Sequence, residues 1–421
     1  MVKKKIYRGW YVITAIFFAN WMGGGIGVPI YGLFYVPIRN SLSLSNLMLS
    51  LPPVIRNLSS HFLGPIVGPL VDKYGPRYLM TIGALIAGIS TYLMSSVDSF
   101  WEIILYFSII GATGHACLSH IVTNTTLARW FIKKRGRATG IATTGINVGE
   151  AIMAPLIQLL ITYVGWRQTW QFMALIPWLI VAPTSYLFMR RAPEDLGLNP
   201  DGEENEEENE STLKKSPHNT EEIWTPKDAF KTVSLWALVF STNLASIAVI
   251  GVVLHQIPFM QDQGLSPGIA ALSLTTYAIF AIPSKLVWGF LSEKVAIKYL
   301  TAASLLGSAV GLLILIQANT IKGVLLFGMV YGLTRGAWAV VQSLIWADYF
   351  GRAFLGSIRG FVSPIQGLSA IFGPLFAGWL RDVTNSYQIP FYTFVCLYIV
   401  SAIIILIIPK PTLKNKIVIK T

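Results

Sequence analysis

The sequence predicts an all-α membrane protein of twelve transmembrane helices, arranged as two six-helix pseudo-repeats. Three observations predict it. Of 421 residues, 53% are hydrophobic and only 12% are charged, against about 25% charged in a soluble domain. Apolar stretches of about 20 residues, the length that crosses a bilayer core of about 30 Å, recur almost end to end. One hydrophilic segment, residues 190–233, divides them six and six. A soluble enzyme, a nucleic-acid binder and a disordered chain all fit this composition poorly.

The first span, 10–35, follows Met1-Val-Lys-Lys-Lys; it is too long for a signal-peptide core and lacks a small-residue cleavage site, so it reads as a retained span. The next five are 46–71, 77–96, 101–128, 138–163 and 168–189. After the hydrophilic segment come 234–260, 267–292, 299–317, 321–347, 355–380 and 387–409. The domains expected are therefore a bundle over 1–189, a cytoplasmic acidic linker over 190–233 and a second bundle over 234–421. The linker holds 12 of the 20 acidic residues, most of them in the run Asp201 to Glu210, and reads as a flexible, solvated spacer.

Orientation follows the basic residues. With the N-terminus in the cytoplasm, 25 of the 32 Lys and Arg fall in cytoplasmic segments, four in outer loops and three, Arg56, Lys285 and Arg335, inside the membrane. Both termini are then cytoplasmic and the expected location is the cell membrane. The formal net charge of +12 thus reflects topology and implies no nucleic-acid partner. Cys117 and Cys396 lie in apolar runs, with neither disulfide nor metal-ligand spacing.

The halves echo one another. Gly68-Pro-Leu-Val-Asp72-Lys73-Tyr-Gly75-Pro-Arg77 closes the second span, and Gly289-Phe-Leu-Ser-Glu293-Lys294 closes the eighth, at an offset of 221; Trp130-Phe131 and Tyr349-Phe350 are 219 apart. Such a 6+6 duplication is a transporter architecture, with the cargo site expected near the bilayer midplane at the repeat interface.

Residues 68–77 resemble the signature of the major facilitator superfamily. The resemblance implies a gating role for Gly68, Asp72, Lys73, Gly75 and Arg77; physically, Gly68 allows close helix approach, Asp72 sets a carboxylate at the membrane edge, and Gly75 permits a tight turn. Trp130-Phe-Ile-Lys-Lys-Arg135-Gly-Arg-Ala-Thr-Gly140, His255-Gln-Ile-Pro258 and Ile282-Pro-Ser-Lys285 are similar to the monocarboxylate transporter and oxalate/formate antiporter group. In monocarboxylate transporters the eighth helix carries an arginine for the substrate carboxylate and an aspartate four residues earlier; Lys285 and Ala281 stand there. Ile30 replaces the first-helix lysine of animal members. The antiporters' eleventh-helix lysine has no counterpart around Ser363-Pro-Ile-Gln-Gly.

An ionisable group at the midplane is costly and faces a cavity or a partner. Lys285 shares a helical face with Tyr277, Ala281 and Trp288, and Arg335 with Tyr331, Trp338 and Gln342. These cations are candidates to attract a carboxylate, with Tyr31, Tyr331 and Trp338 enclosing its apolar part; the alternative for each cation is an ion pair with a neighbouring helix. Arg56 is placed mainly with gating. Glu150, near a mid-span beside Thr143 and Asn147, is either a partner to one of these cations or a proton carrier. His115 is read as lining the cavity or carrying the proton, and His255 as touching cargo or gating. Asp348 and Arg352 read as gate or topology residues.

No nucleotide-binding loop is present, so no cofactor, metal or enzymatic activity is expected. The expected function is secondary active transport of a small organic anion, a monocarboxylate, by alternating access with proton coupling, as a monomer in the lipid bilayer. Organic-anion exchange, efflux of amphipathic compounds and, outside transport, a membrane sensor are the alternatives.

Overall fold

The computed structural model describes residues 7–44, 46–202 and 223–412. The Met1-Val-Lys-Lys-Lys start and the acidic run from 203 to 210 lie outside them. The described chain is helical throughout: α1 (Gly9–Gly25), α2 (Val28–Tyr31), α3 (Tyr35–Leu42), α4 (Asn46–Phe62), α5 (Gly64–Tyr74), α6 (Pro76–Leu93), α7 (Phe100–Ile103), α8 (Gly111–Cys117), α9 (His120–Trp130), α10 (Arg135–Val164), α11 (Trp166–Ile176), α12 (Ala182–Phe188), α13 (Pro226–Phe230), α14 (Val233–Asp262), α15 (Pro267–Leu291), α16 (Ile297–Ile316), α17 (Ile321–Arg335), α18 (Trp338–Phe350), α19 (Leu355–Thr384) and α20 (Gln388–Ile407). Two stretches, Ile104–Ile110 and Pro177–Val181, widen into π-helix inside the fourth and sixth spans.

Among the described residues, ten helices are long and apolar enough to cross a membrane. The first two spans complete the twelve but are interrupted. The first breaks at Gly27, whose backbone is extended. The second breaks at Leu63 between α4 and α5, and its path carries Pro52, Pro53, Pro65 and Pro69, each removing a backbone donor. The fourth span, Phe100–Trp130, also breaks, at Leu118–Ser119, so His115, at the middle of the span, lies in the last turn of α8. In the tenth span Gly336–Ala337 separates Arg335, which ends α17, from Trp338, which opens α18.

The chain packs as two compact units, Met1–Ala229 with Trp346–Phe361 and Thr412–Thr421, and Phe230–Ile345 with Val362–Pro411. In the first, α1 lies along α10, α6 on α8, α11 and α12, and α4 on α8. In the second, α15 lies on α17, and α16 on α17 and α20, while α14 meets α19 at Gly373. The pairing scheme is the same in both, which is the duplication expected from the sequence.

One contact repeats in detail. A Cβ on Gly149 of α10 would stand 2.1 Å from the Trp21 carbonyl oxygen and 3.0 Å from Gly25 N; one on Gly373 of α19 would stand 2.1 Å from the Ile247 oxygen and 3.0 Å from Gly251 N. Backbone-on-backbone approach of this kind needs glycine. Each unit has its own aromatic core: Phe34 stacks on Trp170 at 4.3 Å in the first and Phe259 on Phe391 at 4.6 Å in the second. Outward-facing Ile66, Leu179, Leu375 and Trp379 remain exposed, as a lipid-facing surface requires.

The linker departs from the expected loose spacer at both ends. Asp201 is buried at φ 62°, a left-handed conformation Asp tolerates. Its carboxylate accepts from the backbone amides of Ile132, Lys133 and Lys134 at 3.0, 2.8 and 2.9 Å. Tyr7 Oη lies 3.1 Å from the Trp130 and Asn199 carbonyls, and burial, with Asp201 and Glu194 nearby, raises its phenol above the ordinary value. Trp224, after the undescribed stretch, is buried against Phe350 at 5.8 Å.

Asp201→Gly keeps the backbone conformation available but strips the amides of their acceptor. Each lost bond is worth about 1 kcal/mol, so amide hydrogen exchange at residues 132–134 is expected to quicken by about tenfold or more. Unchanged exchange would contradict the role assigned to this carboxylate.

Candidate functional site

Two groups of side chains carry the chemistry of the membrane interior, one in each unit. In the second unit, α15 turns Tyr277, Ala281, Lys285 and Trp288 away from a face that exposes Ile279, Leu286, Val287 and Phe290. Lys285 is buried. Close approach of α17 to α15 is allowed by Gly328 and Gly332, where a Cβ would stand 2.7 Å from Thr276 Cβ and 2.7 Å from the Tyr277 oxygen. Arg335 then donates from Nη1 to the Tyr277 hydroxyl and lies over that ring, 5.2 Å from its centroid. Tyr331 stands 6.0 Å from the Tyr277 ring and shares a 2.8 Å hydrogen bond with Tyr398.

The Arg335 guanidinium therefore faces phenols. Among the described residues no carboxylate pairs with it, and its Nε has no hydrogen-bond partner. Of the residues read from the sequence, Arg335 and Tyr331 are brought together, and Tyr277 and Tyr398 complete the cluster. Tyr398 was missed because it lies 67 residues from Tyr331, with no local pattern linking them. The break at Gly336–Ala337 interrupts the helical spacing that had set Trp338 and Gln342 on the Arg335 face.

His255 is held apart from this cluster. Its Nδ1 is 3.3 Å from Tyr387 Oη and its Nε2 is 3.1 Å from the Pro374 oxygen, so both ring nitrogens are engaged in joining α14 to α19 and the start of α20.

In the first unit, Tyr31 ends α2, is buried, and lies 4.5 Å from the Phe107 ring. Arg56 covers the same ring at 4.6 Å. His115 is half-buried, and its ionisable neighbours are Arg56, His120 and His61. Glu150 is half-buried on α10, one turn after the half-buried Asn147 and two turns after the buried Thr143.

Of the residues expected to gate, Gly68 and Asp72 meet the start of α19, while Lys73, Gly75 and Arg77 make separate contacts. Gly75 takes φ 79° between α5 and α6, and a Cβ on Gly68 would stand 2.2 Å from the Gly356 oxygen. That approach puts Asp72 at the N-terminus of α19, where its carboxylate accepts from Gly356 N at 3.3 Å, Ser357 N at 2.6 Å and Ser357 Oγ at 2.7 Å. Arg129 pairs with it at 2.8 Å and donates to the Ala353 oxygen at 2.7 Å. Arg352 donates to the Arg129 oxygen at 3.0 Å and pairs with Glu194 at 3.0 Å. Arg77 donates to the Tyr186 oxygen at 2.8 Å, and Lys73 lies over Tyr74 at 5.0 Å. Arg129, Ser357 and Glu194 were not singled out in the sequence. An arginine closing an otherwise apolar span was the one available signal, at Arg129.

Arg359 corrects the charge tally. Counted with the cytoplasmic residues, it is buried in α19, with Nε and Nη1 lacking partners among the described residues. The apolar run starting at Leu355 places it one turn inside the helix.

Comparison with known proteins bears on the family and the fold. The family model described as Major Facilitator Superfamily matches residues 11–250 and 236–420. The chain is 23% identical over 385 residues to "Monocarboxylate transporter 13" of Bos taurus, covering 91% of this chain and 85% of that protein. It is 23% identical over 347 residues to the "Oxalate:formate antiporter" of Oxalobacter formigenes, covering 81% and 78%. Among solved structures, the proton:xylose symporter XylE bound to 6-bromo-6-deoxy-D-glucose matches with TM-score 0.70 at 13% identity, covering 96% of each chain. The transporter FucP in the outward conformation matches with TM-score 0.69 at 13% identity, covering 96% and 99%. With its twelve spans, its duplicated packing and a family match running nearly its whole length, the chain belongs to the major facilitator superfamily and is a multi-pass membrane transporter.

Proposed function

We propose that the protein is a secondary active transporter that carries a small organic anion, a monocarboxylate, by alternating access with proton coupling. The observation that carries this reading is the Arg335 guanidinium, set among Tyr277, Tyr331 and Tyr398 with no carboxylate partner among the described residues. A guanidinium presents paired donors that match a carboxylate, and the rings supply an apolar wall. The names of the relatives, monocarboxylate transporters and an oxalate:formate antiporter, support the same class of cargo. Lys285, Tyr31, Trp338, His115 and His255 are proposed to contribute to recognition.

Glu150 and His115 are the proposed proton carriers. A cargo anion neutralises a buried cation, and a proton taken up with it leaves the loaded carrier closer to neutral and easier to reorient. Gly68, Asp72, Lys73, Gly75 and Arg77 are proposed as the gate, in the cell membrane with both termini cytoplasmic. The domains proposed are two six-helix bundles, 1–189 and 234–421, joined by the acidic linker 190–233.

Exchange of organic anions is the second reading, favoured by the antiporter relative. Counterflow of labelled lactate, pyruvate, formate and oxalate in proteoliposomes at two pH values separates the two. Symport predicts net lactate uptake driven by an inward proton gradient; exchange predicts uptake only against internal anion. Arg335→Gln is expected to lower monocarboxylate flux at least tenfold. Undiminished flux in that variant would remove Arg335 from the cargo site.

A further inference from the structure

Arg56 presents a second cation without a counter-charge, in the first unit. It is buried on α4, three residues after Pro53. One face of its guanidinium is covered by Phe107 at 4.6 Å, and Phe107 is itself flanked by Tyr31 at 4.5 Å and Trp170 at 6.1 Å. Among the described residues no carboxylate and no hydrogen-bond acceptor meets its nitrogens; the aromatic contact is the one that holds it.

Its ionisable surroundings are basic. Arg56, His61 and His120 are the charged or titratable groups that act on His115. The π-helical stretch Ile104–Ile110 runs into Gly111 beside the guanidinium, where a Cβ would stand in ordinary contact with Arg56 Nε, at 3.6 Å, and 2.9 Å from Ser90 Oγ. The neighbouring hydroxyls give their protons to backbone, Ser90 to the Tyr106 oxygen at 2.8 Å and Ser108 to the Pro52 oxygen at 2.9 Å. Among the described residues the N–H donors of Arg56 make no hydrogen bond here.

A membrane-embedded cation must face a partner or a polar cavity, and this one has aromatic walls, basic neighbours and an unused fork of N–H donors. We infer that Arg56, with Phe107 covering its face and His115 beside it, is a second carboxylate-recognition point, in the first unit and separate from Arg335. The carboxylate meets the edge of the guanidinium bidentately, while the ring supports the cation from behind. The inference rests on the reading of the cargo as a carboxylate and deepens it: the first unit holds, at Arg56, a guanidinium site for a carboxylate besides the Arg335 site of the second.

The test is equilibrium binding of labelled lactate to the purified full-length protein, comparing wild type with Arg56→Gln, Arg56→Lys and Arg335→Gln, each checked for unchanged thermal unfolding. Arg56→Gln is expected to weaken binding at least tenfold, and Arg56→Lys, which keeps the charge but loses the fork, about threefold or more. Binding lost in Arg335→Gln but intact in Arg56→Gln overturns this inference and leaves the carrier reading standing. Binding unchanged in both glutamine variants overturns both. Should Arg56→Gln fail to fold, wild-type affinity in a folded Arg56→Lys variant overturns the inference on its own.

Discussion

Asp72→Asn is expected to release the start of α19 from the first unit and to cut transport at least tenfold. Among the described residues Asp72 is the carboxylate in direct contact with Arg129, at 2.8 Å, and it accepts three further bonds from Gly356 and Ser357. Both side chains are buried, 9% and 6% exposed, so solvent does little to replace what is lost. Removing one partner of a buried pair costs about 3–5 kcal/mol because the other charge is left uncompensated. Asparagine keeps one acceptor oxygen but sets an amide against the Ser357 and Arg129 donors.

At 1.4 kcal/mol per factor of ten, the arrangement that holds residues 352–357 would fall in population by about a hundredfold or more. Hydrogen exchange at the Gly356 and Ser357 amides reads this directly, and counterflow of labelled lactate reads its consequence. Wild-type protection at those amides would show that the helix start is held by other contacts.

Gly149→Ala and Gly373→Ala are expected to destabilise the protein, and Gly23→Ala is not. At Gly149 and Gly373 the added carbon meets backbone oxygen at 2.1 Å, whereas nothing lies within 4 Å of one at Gly23. Backbone cannot rotate aside as a flexible side chain does, so α1 must move off α10, or α14 off α19. Overpacking of this kind costs about 1–3 kcal/mol or more. Gly23→Ala removes unfolded-chain entropy and is expected to be neutral or to stabilise by about 0.5–1 kcal/mol. Thermal unfolding in detergent compares the three; matched losses at 149 and 373 follow from their matched geometry. A wild-type midpoint in Gly149→Ala would mean that α1 and α10 do not pack this closely.

Much of the candidate site was legible where it depended on local pattern. The 68–77 motif announced a small residue, a carboxylate and a tight turn in fixed order; Gly68 and Asp72 meet the segment around Ser357, and Gly75 turns the chain between α5 and α6. Tyr331 and Arg335 were legible as neighbours because they are one helical turn apart. His255 was legible as a polar residue in an apolar span, but not that Tyr387 and the Pro374 oxygen take both its nitrogens. Arg359 was counted with the cytoplasmic residues although the 355–380 span encloses it, and the structure shows it buried one turn inside α19.

The sequence by itself determined the number of spans, their division into halves and the family signature, since hydropathy and short motifs are properties of adjacent residues. The tertiary structure alone decided which charges are answered. Asp72 meets Arg129 and Ser357 across 57 and 285 residues, and Asp201 closes a loop 67 residues away. Arg56 and Arg335 are left facing rings. Whether a buried ion has a counter-charge is set within a few ångströms by whichever helices pack around it, and that packing follows from glycine contacts such as those at Gly149 and Gly373, whose partners lie more than a hundred residues distant in the chain.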